Sequence, residues 1–181
     1  MKFIPLPLKG AFSVQPEFLP DERGGFMRTF CKKEFDLIGF NKDFLQINHS
    51  FNNTKATLRG MHFQVSPYSE DKLIRCIAGS VFDVIVDIRK DSPTFLKWFS
   101  IELSAKNKTM ILIPEGFAHG FQTLEDNTEL LYHHTNYYEK AAESGILYND
   151  ELTGIQWPLK ISVISEKDKN YPPLTVNFKG L

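Results

Sequence analysis

The chain has few cysteines, no long apolar run and almost no net charge. Its 181 residues include only Cys31 and Cys76, too few for a disulfide framework or a cysteine-rich zinc site. No run of about 20 apolar residues is present, so no membrane-spanning helix is expected. The formal net charge is -1. Without a basic field, the chain is not expected to bind nucleic acid.

The N-terminal segment also lacks the apolar core of a secretory signal. Pro5 and Pro7 interrupt its short apolar stretch, MKFIPLPLKGAF. We therefore expect a soluble, cytoplasmic protein. Aromatic residues, by contrast, are plentiful, and the 16 phenylalanines indicate a well-packed interior. The length suits one domain covering residues 1–181.

Short apolar and alternating stretches dominate the chain and predict β-strands. KLIRCIAGSVFDVIVDIR, residues 72–89, has two apolar runs around Gly79, a pattern that predicts a β-hairpin. TMILIPEGFAHGFQTLE, residues 109–125, predicts two buried strands joined by a Pro-Gly turn. Short helices are expected only over residues 31–40 and around residues 165–169. The pattern favours an all-β barrel or jelly roll.

Two of the five histidines have informative neighbours. His119 follows a Pro-x-Gly turn in IPEGFAHGF, which resembles the second motif of the cupin superfamily. Metal-binding cupins carry His-x-His in the first motif, but the stretch around His62 is His-Phe-Gln, with Gln64 as the third residue. Glu70 is the candidate for a third ligand. Two histidines without a strong third ligand make a poor site, so no metal is expected.

The other interpretation is proton chemistry on an anionic substrate. His62 is a suitable base near neutral pH, and a strand tyrosine such as Tyr132 is a suitable acid on the other side of a substrate. Asp168 by itself has the pattern of a surface charge, and it matters only if it orients His62. The cations that suit a phosphate group are Arg23, Arg59 and Lys72.

Short segments along the whole chain form one collinear pattern. They are DERGGF at 21–26, QINHS at 46–50, LRGMHFQ at 58–64, the 72–89 stretch, SPTF at 92–95, IPEGFAHGF at 113–121, YHHTNYY at 132–138, YND at 148–150, IQWP at 155–158 and ISEKD at 164–168. Together they resemble the nucleotide-sugar 3,5-epimerases of the cupin superfamily, typified by dTDP-4-dehydrorhamnose 3,5-epimerase. So many ordered segments are far more specific than any one motif.

The resemblance implies a fold, an activity and a set of catalytic residues. It implies a cupin-type jelly-roll β-barrel with a few short helices, working as a homodimer without metal or organic cofactor on a nucleotide-diphospho-4-keto sugar. His62 matches the base that removes a proton next to the C4 ketone, and Asp168 matches its carboxylate partner. Tyr132 matches the acid on the opposite face, and Lys72 the lysine near the C4 oxygen.

The resemblance also implies binding residues. Arg59 and His119 match positions that line the phosphate and sugar pocket. The positions around the nucleotide, some of them lent by the dimer partner, are matched by Arg23, Gln46, Asn48 and Tyr138.

Several positions depart from the family pattern. Arg28 stands where a glutamate is usual, and an arginine donates hydrogen bonds but cannot accept them. Arginine donors suit the acceptor edge of guanine. We therefore expect Arg28 to contact the nucleotide, and a nucleotide other than the thymidine one, with GDP and heptose or hexose substrates as the first candidates. The other departures are Leu19, the Glu70-Asp71 pair, His133 and Tyr148.

Three alternatives to a 3,5-epimerase stay open at this point. One is a metal-dependent cupin oxygenase or isomerase, which Gln64 disfavours. Another is a sugar-binding jelly roll without catalysis, which the joint presence of His62, Lys72, Tyr132 and Asp168 disfavours. The third is a 3,4-ketoisomerase, which fits RGMHFQ and YHHTNYY less well. The sequence does not distinguish inversion at C3, at C5 or at both.

Overall fold

The computed structural model describes residues 1–181, and it consists of strands with two short helices. The strands are β1 Lys2–Pro5, β2 Phe12–Gln15, β3 Phe18–Asp21, β4 Gly24–Met27, β5 Gln46–Asn52, β6 Thr57–Gln64, β7 Lys72–Ala78, β8 Ser80–Asp87, β9 Trp98–Ser104, β10 Met110–Ile113, β11 Phe117–Thr123, β12 Thr128–His134, β13 Glu143–Gly145 and β14 Val163–Ile164. The helices are α1 Lys32–Asp36 and α2 Glu166–Lys169.

The strands form two sheets that pack into a jelly roll. The first sheet has the order β1-β2-β10-β7-β12-β5, and the second has the order β13-β6-β11-β8-β9 with β14 beside β6. Every pairing is antiparallel except that of β14 with β6. The hairpin β3–β4 stands apart as a small sheet of its own. The prediction of an all-β jelly-roll barrel with a few short helices is confirmed.

The predicted hairpin around Gly79 is wrong. β7 pairs with β10 and β12 in the first sheet, whereas β8 pairs with β9 and β11 in the second. Gly79, at a φ of +68°, carries the chain from one sheet to the other, and a Cβ there would lie 2.4 Å from the Thr128 hydroxyl. Two apolar runs around a turn give the same local sequence pattern whether the two strands pair in a hairpin or enter different sheets. The partners far along the sequence decide between them.

The core fills the space between the sheets. Its main cluster takes large side chains from both, such as Ile74 and Leu130 from the first sheet and Ile85 and Phe121 from the second. Tyr132 packs against the edge of this cluster with part of its side chain exposed. The interior is therefore apolar up to the level of Tyr132, where polar side chains begin to line a cavity.

Both short helices lie near their predicted positions. α1 packs Phe35 against Phe3, Phe30 and Phe40, with ring centroids 4.9–5.6 Å apart. α2 begins after Ser165, whose hydroxyl accepts a hydrogen bond from the Asp168 amide at 3.1 Å. Neither helix, nor any other in the chain, has the length and apolar character needed to cross a membrane.

Candidate active site

A cavity of about 300 Å³ lies between the two sheets, and it gathers most of the predicted site residues. Alternation along the strands explains this, because every second side chain of a strand faces the interior. Of the residues predicted from the sequence, those lining the cavity are Asn48, Arg59, His62, Lys72, His119, Tyr132 and Tyr138.

His62 and Asp168 form a hydrogen-bonded pair at the wall of the cavity. The His62 Nε2 lies 2.7 Å from the Asp168 Oδ1, and the Asp168 Oδ2 accepts from the Gly60 amide at 3.1 Å. Burial alone would raise the pKa of Asp168, but the contacts with His62 and Gly60 outweigh it and lower the pKa below its usual value. The ionised carboxylate can only accept, so Nε2 carries a proton and Nδ1 is the ring nitrogen that can accept one when the ring is neutral.

Asp168 is not the surface charge that its local sequence suggests. It is only 2% exposed, in a helix of four residues whose other members are exposed. Its burial comes from the docking of α2 beside β6, a contact across more than a hundred residues of chain.

A close approach of two glycines sets the position of His62 within the second sheet. A Cβ on Gly60 would lie 2.6 Å from the Gly120 Cα, so β6 and β11 meet here at a distance that no side chain permits. The register places His62 of β6 opposite His119 of β11. The two histidines therefore enter the cavity side by side.

His119 is held by a buried carboxylate. Its Nε2 lies 2.8 Å from the Asp83 Oδ2, and both side chains are almost fully buried. Burial raises the pKa of Asp83, partly offset by His119. The sequence motif around His119 gave no indication of Asp83, which lies on β8 next to β11.

Tyr132 faces the cavity from the opposite sheet. Its hydroxyl lies 3.1 Å from the Ser50 Oγ, and its ring is edge-on to His119 with centroids 6.2 Å apart. Burial raises the pKa of Tyr132 well above its usual value, so the hydroxyl stays protonated and neutral at physiological pH. A proton donor on the first sheet therefore faces a proton acceptor on the second.

Lys72 lies in a buried polar cluster at the start of β7. Its Nζ is 2.7 Å from the Glu70 Oε1, and the Glu70 Oε2 accepts from the Gln64 amide at 2.7 Å. His134, paired with Lys72 in the β7–β12 register, has its Nδ1 3.6 Å from the same Oε2. Lys72 is therefore a buried cation with a single carboxylate partner.

Polar groups at the rim connect the other predicted binding residues. The Arg59 Nε donates to the Asn52 Oδ1 at 2.7 Å, which leaves part of its guanidinium exposed to the cavity. Gln46 donates to the Asn48 Oδ1 at 3.0 Å and accepts from the Tyr138 amide at 3.0 Å. Gln46 does not line the cavity, and it holds two residues that do.

Arg23 in the turn of the β3–β4 hairpin and Arg28 directly after it are not part of this cavity in the single chain. Arg23 pairs with Asp21 at 2.6 Å, and its side chain is 83% exposed. Arg28 pairs with Glu34 of α1 at 3.0 Å, and its side chain is 61% exposed. Neither arginine lines the cavity.

The sequence reasoning missed several residues of the cavity. The sequence singles out Glu70 as a candidate metal ligand and as a departure from the family pattern, but it assigns no role in the cavity to His134, Ser50 or Glu143. The two-residue spacing from Tyr132 to His134 carried the signal, because both side chains must face the same side of β12. The inward position of Glu70 had no such signal, since it lies in an irregular segment before β7.

The proposed metal ligands do not assemble into a metal site. No group of three or more His, Cys, Asp or Glu side chains is arranged to hold a metal ion. Each candidate ligand has another partner: His62 contacts Asp168, His119 contacts Asp83, and Glu70 contacts Lys72.

Comparison with known proteins identifies the family. The sequence model of the family described as dTDP-4-dehydrorhamnose 3,5-epimerase matches residues 5–175. The chain belongs to the dTDP-4-dehydrorhamnose 3,5-epimerase family. It is 47% identical over 171 residues to the dTDP-4-dehydrorhamnose 3,5-epimerase of Shigella flexneri, covering 94% of both chains. The chain is therefore an epimerase, as its sequence predicted.

Two solved structures of this family show the same fold. One is dTDP-4-dehydrorhamnose 3,5-epimerase from Bacillus anthracis with TDP and PPi bound, with a TM-score of 0.93, 40% identity, and coverage of 96% of this chain and 99% of that one. The other is dTDP-6-deoxy-D-glucose-3,5-epimerase from Legionella pneumophila in complex with dTDP-4-keto-L-rhamnose. It has a TM-score of 0.88, 40% identity, and coverage of 92% and 89%.

Proposed function

We propose that the protein inverts C3 and C5 of a dTDP-linked 4-keto-6-deoxy sugar through an enolate. The observation that carries the proposal is the placement of His62 and Tyr132 on opposing sheets of one cavity, with Lys72 in its wall. A base and an acid on opposite faces of a sugar ring are what inversion of a carbon requires.

The first step is removal of a proton from the carbon next to the C4 ketone. The Nδ1 of His62 takes the proton, the electron pair of the C–H bond forms the C=C bond, and the carbonyl π electrons move to the C4 oxygen. Asp168 stabilises the imidazolium that results, because its carboxylate already accepts from Nε2. The Lys72 ammonium is the cation available in the cavity wall to stabilise the enolate oxygen.

The second step returns a proton to the opposite face of the same carbon. The Tyr132 hydroxyl donates it, the enolate electrons form the new C–H bond, and the ketone is restored. The Tyr132 hydroxyl is protonated before this step, because the ordinary pKa of a tyrosine lies above physiological pH and burial raises the pKa of Tyr132 further. Solvent then returns a proton to the tyrosinate and removes one from His62. Both C3 and C5 adjoin the C4 ketone, so His62 and Tyr132 can serve either carbon when the sugar ring places that carbon between them.

The nucleotide is proposed to be thymidine diphosphate because the relatives reported above are named for dTDP sugars or were solved with thymidine nucleotides. The prediction of GDP from Arg28 stays a prediction. Arg28 is paired with Glu34 within the chain, so its guanidinium already has an anionic partner.

A homodimer is the second part of the proposal. The outward faces of the β5 edge strand and the hairpin expose large apolar side chains, including Ile47, Phe51 and Phe26, each at least 60% exposed. A second subunit covering β5 would bury the first two. It would also bring its own hairpin, with Arg23, toward a cavity that lacks arginines from this hairpin in the single chain.

The test is proton exchange in deuterated water with a panel of dTDP- and GDP-linked 4-keto sugars. We expect deuterium at C3 and C5 of the dTDP-4-keto-6-deoxy sugar. Deuterium at one carbon only would identify a monoepimerase, and exchange only with GDP sugars would overturn the nucleotide assignment. Absence of exchange with every member of the panel would overturn the proposed reaction.

A further inference from the structure

Glu70 is the one acidic side chain that contacts Lys72, and it lies in the wall of the candidate active site. Both side chains are at least nine-tenths buried, and the carboxylate oxygens have separate tasks. Oε1 accepts from the Lys72 ammonium at 2.7 Å, while Oε2 accepts from the Gln64 amide at 2.7 Å. The Gln64 amide is itself fixed, because its Nε2 also lies 2.9 Å from the Tyr68 carbonyl oxygen.

His134 completes the surroundings of this carboxylate. Asn48 receives a hydrogen bond on Oδ1 from Gln46, so its Nδ2 is the atom that faces the His134 Nε2 at 3.3 Å. An amide nitrogen donates, so Nε2 accepts and the proton of the neutral ring lies on Nδ1. This nitrogen lies 3.6 Å from the Glu70 Oε2, slightly beyond hydrogen-bond distance. Every group around Glu70 is therefore a donor.

The charge state of Glu70 follows from these donors. Burial alone would raise the pKa of Glu70, but His134 and Lys72 outweigh it and lower the pKa below its usual value. The carboxylate is ionised at physiological pH, and the ammonium of Lys72 is balanced by it. Besides Glu70 and Lys72, the titratable groups that line the same cavity are His49, Arg59, His62, His119, Tyr132, His134, Tyr138 and Glu143.

We propose that Glu70 is a positioning residue of this enzyme, which acts through Lys72 by holding its ammonium at the cavity wall. A lysine side chain has four rotatable bonds, and without a partner its ammonium has no defined position. The carboxylate takes one of three N–H donors and leaves two for the substrate oxygen. The role in turnover rests on the proposed enolate reaction, whereas the contact between Glu70 and Lys72 does not.

The neighbouring acid, Asp71, has a different task and shows that Glu70 is not simply part of an acidic turn. Asp71 accepts from the Glu115 amide at 2.6 Å and pairs with Lys42 at 3.0 Å, outside the cavity. The two consecutive carboxylates therefore make different contacts. Asp71 holds the turn in place, and Glu70 points to the reacting groups.

The kinetic test compares Glu70→Gln, Lys72→Met and the double variant. We expect Glu70→Gln to lower kcat for C–H exchange by about tenfold or more, with KM changed less than about threefold, because ammonium position matters after binding. The double variant should be no slower than Lys72→Met alone, because Glu70 acts only through Lys72. Glu70→Asp, which keeps the charge, should recover part of kcat.

A matched control and a readout without substrate keep the test independent of turnover. Glu115→Gln removes a carboxylate that pairs with Lys42 outside the cavity, so it should leave kcat unchanged. Reductive methylation with formaldehyde and cyanoborohydride, followed by peptide mass spectrometry, should label Lys72 several-fold faster in Glu70→Gln than in the unchanged protein. The labelling of Lys42 should not differ between these two proteins.

The outcomes separate this inference from the proposed function. Equal labelling of Lys72 in the Glu70→Gln variant and the unchanged protein would overturn the role of Glu70. The role would also be overturned if the double variant had a kcat lower than that of Lys72→Met by the same factor that Glu70→Gln alone causes. Absence of exchange in the unchanged protein, together with faster labelling in the variant, would overturn the proposed reaction and leave the positioning of Lys72 by Glu70 standing.

Discussion

At the scale of single residues, the chemistry depends on what each titratable side chain contacts. His62 and His119 lie opposite each other on β6 and β11, and each contacts a carboxylate. Asp168, the partner of His62, is 2% exposed and lines a second cavity, whereas Asp83, the partner of His119, is fully buried. His62 is also the more exposed of the two rings. These differences favour His62 as the base.

Replacement of His62 by asparagine should remove the base and greatly slow exchange. Asparagine keeps a polar side chain of similar reach but cannot take up a proton. Loss of a general base lowers the reaction rate by about 10²–10⁴-fold. We therefore expect the rate of exchange in deuterated water, measured by nuclear magnetic resonance, to fall by about a thousandfold. His133→Asn, on the outer face of β12 beside Phe44, is the control and should retain exchange. Normal exchange in His62→Asn would show that the base is another residue.

Replacement of Tyr132 by phenylalanine should separate exchange from inversion. The base remains, so deuterium should still enter the substrate, but the donor on the opposite face is lost. We expect formation of the inverted sugar to fall by about a hundredfold while exchange stays within about threefold of the unchanged protein. Tyr137→Phe, whose side chain points to solvent, is the control. Equal losses of exchange and inversion in Tyr132→Phe would contradict the assignment of Tyr132 as the acid.

At the scale of elements, the turn after β8 is held by one carboxylate. Asp87 accepts from the Arg89 guanidinium at 2.7 Å and from the hydroxyls of Ser92 and Thr94 at 2.6 Å each. These contacts outweigh burial and lower the pKa of Asp87 from 3.8 to about 2. The carboxylate therefore remains ionised in the folded protein over most of the acid range.

Replacement of Asp87 by asparagine should destabilise the fold in a pH-dependent way. The folded pKa lies below the unfolded one, so the carboxylate stabilises the fold above the unfolded value and loses this effect as pH falls toward about 2. We expect a loss of about 2 kcal/mol in the free energy of unfolding at pH 7, from urea denaturation, that shrinks below about pH 4. Asp21→Asn, in an exposed pair with Arg23, should not change the unfolding midpoint. A difference in the free energy of unfolding between Asp87→Asn and the unchanged protein that stays constant from pH 7 to pH 3 would contradict this account.

Element positions were largely predictable, but their pairing was not. The turn in IPEGFAHGF joins β10 and β11 as expected, since proline and glycine interrupt the strands there. The stretch around Gly79 also predicts two strands joined by a turn, but the prediction that they pair in a hairpin was wrong, because β7 and β8 enter different sheets, as β10 and β11 do. Sequence periodicity reports which residues are extended. It does not report which distant strand offers the better partner.

At the scale of the whole molecule, the single chain leaves one sheet edge uncovered. β5 is the last strand of the first sheet, and its outward residues Ile47 and Phe51 are exposed. An uncovered apolar edge favours association with another strand or sheet face. The proposed homodimer accounts for this edge.

Replacement of Phe51 by lysine should dissociate the dimer. A lysine ammonium at the centre of an apolar interface loses its hydration without gaining a partner. We expect the unchanged protein to sediment with twice the mass of the chain and Phe51→Lys with the mass of one chain. The variant should also bind nucleotide more weakly, because a monomer lacks the Arg23 that a second subunit would supply to the cavity. Val176→Lys, at an exposed position near the C-terminus, should remain dimeric. A monomeric unchanged protein would show that the dimer prediction is wrong.

The sequence by itself determined the family, the all-β class and the types of residue that carry the chemistry. Segment order and residue identity are properties of the chain, so His62, Lys72 and Tyr132 were recognisable from their motifs. The family resemblance paired Asp168 with His62, but only the tertiary structure decided that this carboxylate is buried and that Glu70 contacts Lys72. Burial and pairing of charges depend on contacts between distant segments. Local sequence carries no record of those contacts.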